Sequence, residues 1–274
     1  MKNLMIPALA LFLSAAAQAD DSPLWMRYCA ISPDGQTIAF SYQGDIYTVP
    51  SSGGKARQLT THPAHDTRPV WSPDGQRIAF ASNRSGNFDV FLMNKEGGEP
   101  KRLTTHSTNE YPTTFKDNGH ILYLANVLQD AKDIQFPGTR FMQVYEISTD
   151  GGRPDLYSSL YMENIALSKD GSKLLYNDYK GYEDPWRKHH QSSITRDIWL
   201  CTLGKDRSFQ KVTTFGGEDR NPVWAADGAS FYYLSEEKGS FNIFKKDLAG
   251  NNEKQITTHT TCLLYTSPSP RDCS

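Results

Sequence analysis

Apolar residues come in short runs separated by polar turns, and the runs repeat. Ser32-Pro33-Asp34-Gly35 recurs unchanged as Ser72-Pro73-Asp74-Gly75. Looser copies follow at Lys116-Asp117-Asn118-Gly119, Ser168-Lys169-Asp170-Gly171 and Ala225-Ala226-Asp227-Gly228, so the turn glycines are 40, 44, 52 and 57 residues apart. After each turn comes an apolar run, for example Ile38-Ala39-Phe40, Ile78-Ala79-Phe80 and Leu174-Leu175-Tyr176. A second run follows, for example Asp45 to Val49, Asp89 to Met93 and Asp197 to Cys201. A third closes most units: Gln58 to Thr61, Arg102 to Thr105, Lys211 to Thr214 and Gln255 to Thr258. The run before each turn, such as Pro69-Val70-Trp71 or Pro222-Val223-Trp224, supplies a fourth.

The runs are short, β-branched and aromatic, which predicts strands. Pro-Asp-Gly suits a type I turn: proline presets φ, aspartate bonds the local backbone, and glycine takes the positive φ that follows. Gly53-Gly54, Gly97-Gly98 and Gly151-Gly152 mark a second hairpin. Each unit reads as a four-stranded antiparallel meander, and a period of this size predicts an all-β fold, a β-propeller with five blades present. Leu24–Ala30 directly precedes the first turn and is expected as the innermost strand of blade one. The ring is then expected to close by blade packing, and a fragment without its last blades to leave two faces bare.

Repeat two runs Ser72-Pro-Asp-Gly-Gln-Arg-Ile-Ala-Phe80, then Ala81-Ser-Asn-Arg-Ser-Gly86, Asp89-Val-Phe-Leu-Met93, Gly97-Gly98 and Leu103-Thr104. It resembles the TolB-type propeller repeat, and the resemblance implies six or seven blades in the complete protein. Blade four carries a longer insertion between its second and third strands, and its stretch Gly181-Tyr-Glu-Asp-Pro-Trp-Arg-Lys-His-His190 before Thr195-Arg-Asp-Ile-Trp199 resembles tricorn-like bacterial peptidases of the S41 family. In that family a signal peptide precedes a propeller, and a PDZ module and a serine-peptidase core follow. The resemblance implies that catalysis resides in the core, so no catalytic residue falls on this chain.

The two ends read differently. Residues 1–19, with Lys2, an apolar stretch from Leu4 to Ala17 and Ala17-Gln18-Ala19, read as a secretory signal, implying export to the periplasm or beyond. The segment 262–274 breaks the repeat, and Cys262 to Asp272 resembles a translated sequencing-library adapter. The propeller is therefore expected over 20–261, with the natural reading frame continuing past Thr261. Only Cys29 and Cys201 remain outside that segment, and both are expected as buried thiols. The net charge of −2 over 274 residues removes the footprint of a general nucleic-acid binder.

Candidate chemistry concentrates in the insertions of blades three and four. Loops of a meander alternate faces, so both insertions leave the same face as the connections between blades, which carry His62, His65 and His106. Tyr182, Glu183, Asp184, Trp186, Arg187, Lys188, His189 and His190 combine aromatics with both signs of charge, the makeup of a surface that docks a peptide or the core domain. The bland alternative is a solvated loop ordered by Trp186. Adjacent His189 and His190 lack a third ligand at useful spacing, and the repeated Thr-Thr-His follows the repeat, so neither metal nor other cofactor is expected. Asp34, Asp74, Asp170 and Asp227 read as turn formers. The expected partners are a peptide or unfolded protein, the PDZ and core domains of the same protein, and a second copy of the chain. Three readings stand: the propeller of a secreted tricorn-like serine peptidase, a stand-alone TolB-like binding module, and the propeller of a prolyl-oligopeptidase-type hydrolase. The sequence beyond Thr261 discriminates them.

Overall fold

A computed structural model describes residues 26–127, 142–181, 191–249 and 252–260. Its twenty strands form five sheets of four antiparallel strands, each in chain order. Blade one comprises β1 (Arg27–Ile31), β2 (Thr37–Tyr42), β3 (Asp45–Pro50) and β4 (Arg57–Gln58). Blade two comprises β5 (Asp66–Trp71), β6 (Arg77–Ser82), β7 (Asp89–Asn94) and β8 (Gly97–Arg102). Blade three comprises β9 (Glu110–Asp117), β10 (His120–Ala125), β11 (Gln143–Ser148) and β12 (Asp155–Ser158). Blade four comprises β13 (Met162–Leu167), β14 (Lys173–Asp178), β15 (Ile198–Thr202) and β16 (Ser208–Lys211). Blade five comprises β17 (Asp219–Trp224), β18 (Ser230–Ser235), β19 (Asn242–Asp247) and β20 (Glu253–Gln255). This is the five-bladed propeller that the repeat predicts.

The core lies between blades rather than within them. Successive residues of a strand point to opposite faces, so Ile78 and Phe80 pack on Ala39, Ile46 and Leu59 of blade one. Their neighbour Ala79 packs with Phe115, Ile121 and Tyr123 of blade three. Leu122 and Leu124 meet Met162, Leu174 and Tyr176, and Leu175, Ile198 and Leu200 meet Phe231, Tyr233 and Phe244. The residue before each turn plugs the preceding interface. Trp71 donates its indole N–H to the Ala30 carbonyl at 3.0 Å, and Trp224 to the Ala166 carbonyl at 2.8 Å. The equivalent residue of blade one, Ile31, is 59% exposed, and on blade five Val223, Tyr232 and Ile256 are exposed where their counterparts in blades two to four are covered.

The Asp-Gly turns hold themselves. The Ser32 hydroxyl donates to Asp34 Oδ1 at 2.5 Å, the Gln36 amide donates to the same oxygen at 3.0 Å, and the Thr37 amide donates to Ser32 Oγ at 2.9 Å. The pattern repeats at Ser72–Asp74 and Ser168–Asp170. The serine hydroxyl and then the backbone amide favour the charged form, so Asp34 and Asp74 ionise below the usual range, and Asp170 is brought down to about 2. Gly35 follows at φ 72°.

Two expectations need correction. The Leu-Thr-Thr segments are not ladder strands: β4, β8, β16 and β20 end at Gln58, Arg102, Lys211 and Gln255. Beyond the first three ends the apolar residue, Leu59, Leu103 or Val212, enters the interblade core, while Ile256 of blade five stays exposed, and in all four the next threonine bonds through its side chain. Thr60, Thr104, Thr213 and Thr257 each accept, through Oγ1 at 2.9–3.0 Å, the backbone N–H of Ile46, Val90, Ile198 and Ile243. Cys201 is buried as expected, but Cys29 is exposed, because it shares with Ile31 the face of blade one that no described blade covers.

The threonine clamps are directly testable. Thr104→Val keeps the shape but leaves the fully buried Val90 amide without an acceptor, which costs about 1–3 kcal/mol. Urea unfolding of Thr104→Val and Thr213→Val is expected to show that loss; midpoints equal to wild type would refute the clamp.

Candidate functional site

Every innermost strand starts on the face that carries the interblade connections and the loops between second and third strands. The stem of the blade-four insertion is built there by a charge network. Asp178 accepts from the Asp197 amide at 2.8 Å and from the Trp199 indole at 3.0 Å. Lys180 reaches Asp197 and the Thr195 carbonyl. Arg196, mostly buried, bridges Glu163 at 2.8 Å and Glu218 at 3.0 Å, and Tyr161 donates to the other oxygen of Glu163. Both ends of the insertion are thus pinned to blades four and five. Tyr182, Glu183, Asp184, Trp186, Arg187, Lys188, His189 and His190 lie outside the described residues, as do residues 128–141 of the blade-three insertion. The expected histidines serve local turns: His62 Nδ1 accepts from the Ala64 amide and His106 Nδ1 from the Thr108 amide.

A second feature of this face was not foreseen. The innermost strands carry a β-bulge, with register shifts between Arg27 and Ala30, Thr67 and Val70, Glu163 and Ala166, and Arg220 and Val223. One residue in each is left-handed: Tyr28 (φ 52°), Arg68 (54°), Asn164 (50°) and Asn221 (56°). Asparagine tolerates this region; for tyrosine and arginine it costs about 1–2 kcal/mol. All four stand seven residues before their turn glycine, a spacing visible in the sequence, but no residue type at that position announces its conformation.

The bulges of blades one and two and the start of β9 in blade three frame a cavity of about 380 Å³, lined among others by Tyr28, Ser41, His65, Arg68, Phe88 and Tyr111. The Arg68 guanidinium lies over the Tyr111 ring at 4.4 Å and the Tyr28 ring at 5.1 Å. Phe88 packs against Tyr111 at 5.4 Å and edge-on against His65 at 6.0 Å. Burial pushes the Tyr111 hydroxyl up, with Arg68 opposing it. No carboxylate lies within ion-pair distance of Arg68 among the described residues. Two further basic groups, Arg27 and His65, line the same cavity.

Several acids of the blades are buried. Asp66 pairs with Arg84 at 2.6 Å and Asp89 with Arg102 at 2.9 Å, all four joining elements of blade two. Glu110 and Asp219, at the starts of β9 and β17, are 1% exposed and have no salt-bridge partner among the described residues. Burial is the main cause that raises both, to about 7 in each case, with Asp89 adding to the shift at Glu110 and Asp197 at Asp219.

Residues 23–267 match the sequence profile of the tricorn protease N-terminal beta propeller domain. A tricorn protease homologue of Saccharolobus solfataricus is 22% identical over 243 residues, spanning 86% of this chain and 21% of the homologue. Tricorn protease homolog 1 of Streptomyces coelicolor is 24% identical, with 86% and 21% coverage. Among solved structures, the tricorn protease superposes with a TM-score of 0.69 at 20% identity over 88% of this chain and 23% of that one. A TolB-like protein from Agrobacterium tumefaciens superposes at 0.66 with 17% identity over 92% and 88%. The chain therefore spans about a fifth of the tricorn relatives it matches.

The buried carboxyls predict a pH dependence. Both are protonated in the folded chain, up to about pH 7, while unfolded carboxyls ionise near pH 4. The folded state binds the extra protons in that window, so stability is highest at its acid end and falls as pH rises, by about 1.4 kcal/mol per pH unit for each such group. Thermal unfolding is expected at a lower temperature at pH 8 than at pH 5, with a smaller difference in Glu110→Gln and Asp219→Asn. Variants that track the wild type at both pH values would sink the assignment.

Proposed function

The chain belongs to the tricorn protease N-terminal β-propeller family, and we propose that it is the peptide-handling module of an exported tricorn-like serine peptidase. In this reading it guides or filters unfolded peptides for a PDZ and serine-peptidase core that these residues do not supply. The observation that carries it is the profile match over residues 23–267, in relatives of which the chain spans 21%. The geometry supports it. The pinned stem of the blade-four insertion and the aromatic-cationic cavity share one face, as expected where rigid strands present loops to a passing chain. The signal-like residues 1–19 support export.

A second reading is a TolB-like module that docks partner proteins without catalysis. It is favoured by the superposition on a TolB-like protein over 88% of that protein's length.

Acyl transfer needs a nucleophile, a base within hydrogen-bond reach and oxyanion donors. This chain is expected to hydrolyse no peptide on its own, as read by a fluorogenic peptide assay. Activity lost on mutating a serine within it would contradict the proposal. In the complete protein, Trp186→Ala with Arg187→Ala is expected to slow peptide cleavage about thirtyfold, the effect of losing a hot spot of about 2 kcal/mol, with the propeller still folded. Cleavage at the wild-type rate would leave the insertion a solvated loop, and a complete protein without peptidase activity would favour the TolB-like reading.

A further inference from the structure

Arg68 is held at some expense and then left without an anion. Its backbone occupies the left-handed region, where the same position in blades four and five holds asparagine. Its guanidinium is fixed over Tyr111 and Tyr28, which restrains it by cation–π contact and leaves its N–H donors without a hydrogen-bond partner among the described residues. Two other arginines are by contrast ion-paired: Arg84 by Asp66, and Arg196 by Glu163 and Glu218.

The cavity wall repeats this incompleteness. Ser41 lines it, is 5% exposed, and its Oγ has no hydrogen-bond partner among the described residues. Ser41 pairs with Arg27 as Ala81 pairs with Thr67 in blade two and Asn177 with Glu163 in blade four. Asn177 is fully satisfied: it donates to the Asp219 carbonyl at 2.8 Å and the Asp197 carbonyl at 3.3 Å, and accepts from the Asn221 amide at 2.8 Å. Blade two avoids the problem with alanine. Of these three, blade one places a buried polar group there that has no partner among the described residues.

From this we infer that the cavity between blades one, two and three is a carboxylate site that takes the side chain of an aspartate or glutamate in a passing peptide. The inference rests on the peptide-handling reading and adds to it a preference for acidic segments. A planar carboxylate matches the fork of a guanidinium bidentately. The flanking rings of Tyr28, Phe88 and Tyr111 cover the apolar stem of the side chain and the adjoining backbone, and His65 stands at the rim as a further donor. About 380 Å³ accommodates one such side chain with part of its backbone.

Arg68→Asn is the decisive variant, because asparagine already occupies this conformation at Asn164 and Asn221, so the fold is preserved. The probes are fluorescein-labelled peptides with acetylated and amidated ends, one carrying Glu-Asp repeats and one the isosteric Gln-Asn sequence. Blocked ends remove terminal carboxylates as a source of binding. The acidic peptide is expected to bind the chain at least about tenfold more tightly than its amide counterpart, measured by anisotropy. Arg68→Asn is expected to erase that difference with the melting temperature maintained. Equal binding of both peptides, or acidic binding unchanged in Arg68→Asn, overturns the inference and leaves the peptide-handling reading standing. Binding of neither peptide overturns both.

Discussion

No blade can bury its own faces. A four-stranded sheet is apolar on both sides here, and the four clusters of buried residues each lie between two consecutive blades. Everything else follows from that demand for a neighbour. The alternation along Ile78-Ala79-Phe80 matters because one residue type fills the interface behind and the other the interface ahead. The tryptophans before the turns reach back to the carbonyls of the preceding blade for the same reason.

The need for close stacking also explains the local devices. Blades approach face to face only if the strand ends are tidy, and the chain achieves this with side chains. Serine and aspartate close the inner turn, and threonine completes the outer edge where the fourth strand has already left the ladder. The carboxylates at the starts of the innermost strands sit where stacking excludes water, which is why Glu110 and Asp219 hold their protons into the neutral range.

Much of this was legible in the sequence, for a physical reason. Turn chemistry and strand alternation are local, so Asp34, Asp74, Asp170 and Asp227 declare themselves by their neighbours in the chain. Interactions that cross the sheet do not. Leu59-Thr60 reads as two more strand residues, and only the partner amide of Ile46 reveals the clamp. Cys29 reads as a core thiol because strand alternation does not tell which face is covered. The left-handed bulge at Tyr28 and Arg68 is set by strand pairing, and the cavity assembles residues from three blades. Sequence reasoning therefore placed the chemistry in the insertions, where composition is unusual, and passed over Arg68, whose importance comes from what surrounds it.

The exposed residues on the outer blades carry one more consequence. Ile31 and Cys29 belong to one end of the stack and Val223, Tyr232 and Ile256 to the other, and the two surfaces differ in composition. An association in which the trailing side of one molecule meets the leading side of the next is heterologous. Such a contact has no two-fold axis and leaves a fresh surface at each end. It terminates only where successive rotations sum to a full turn, and otherwise propagates as a helical filament.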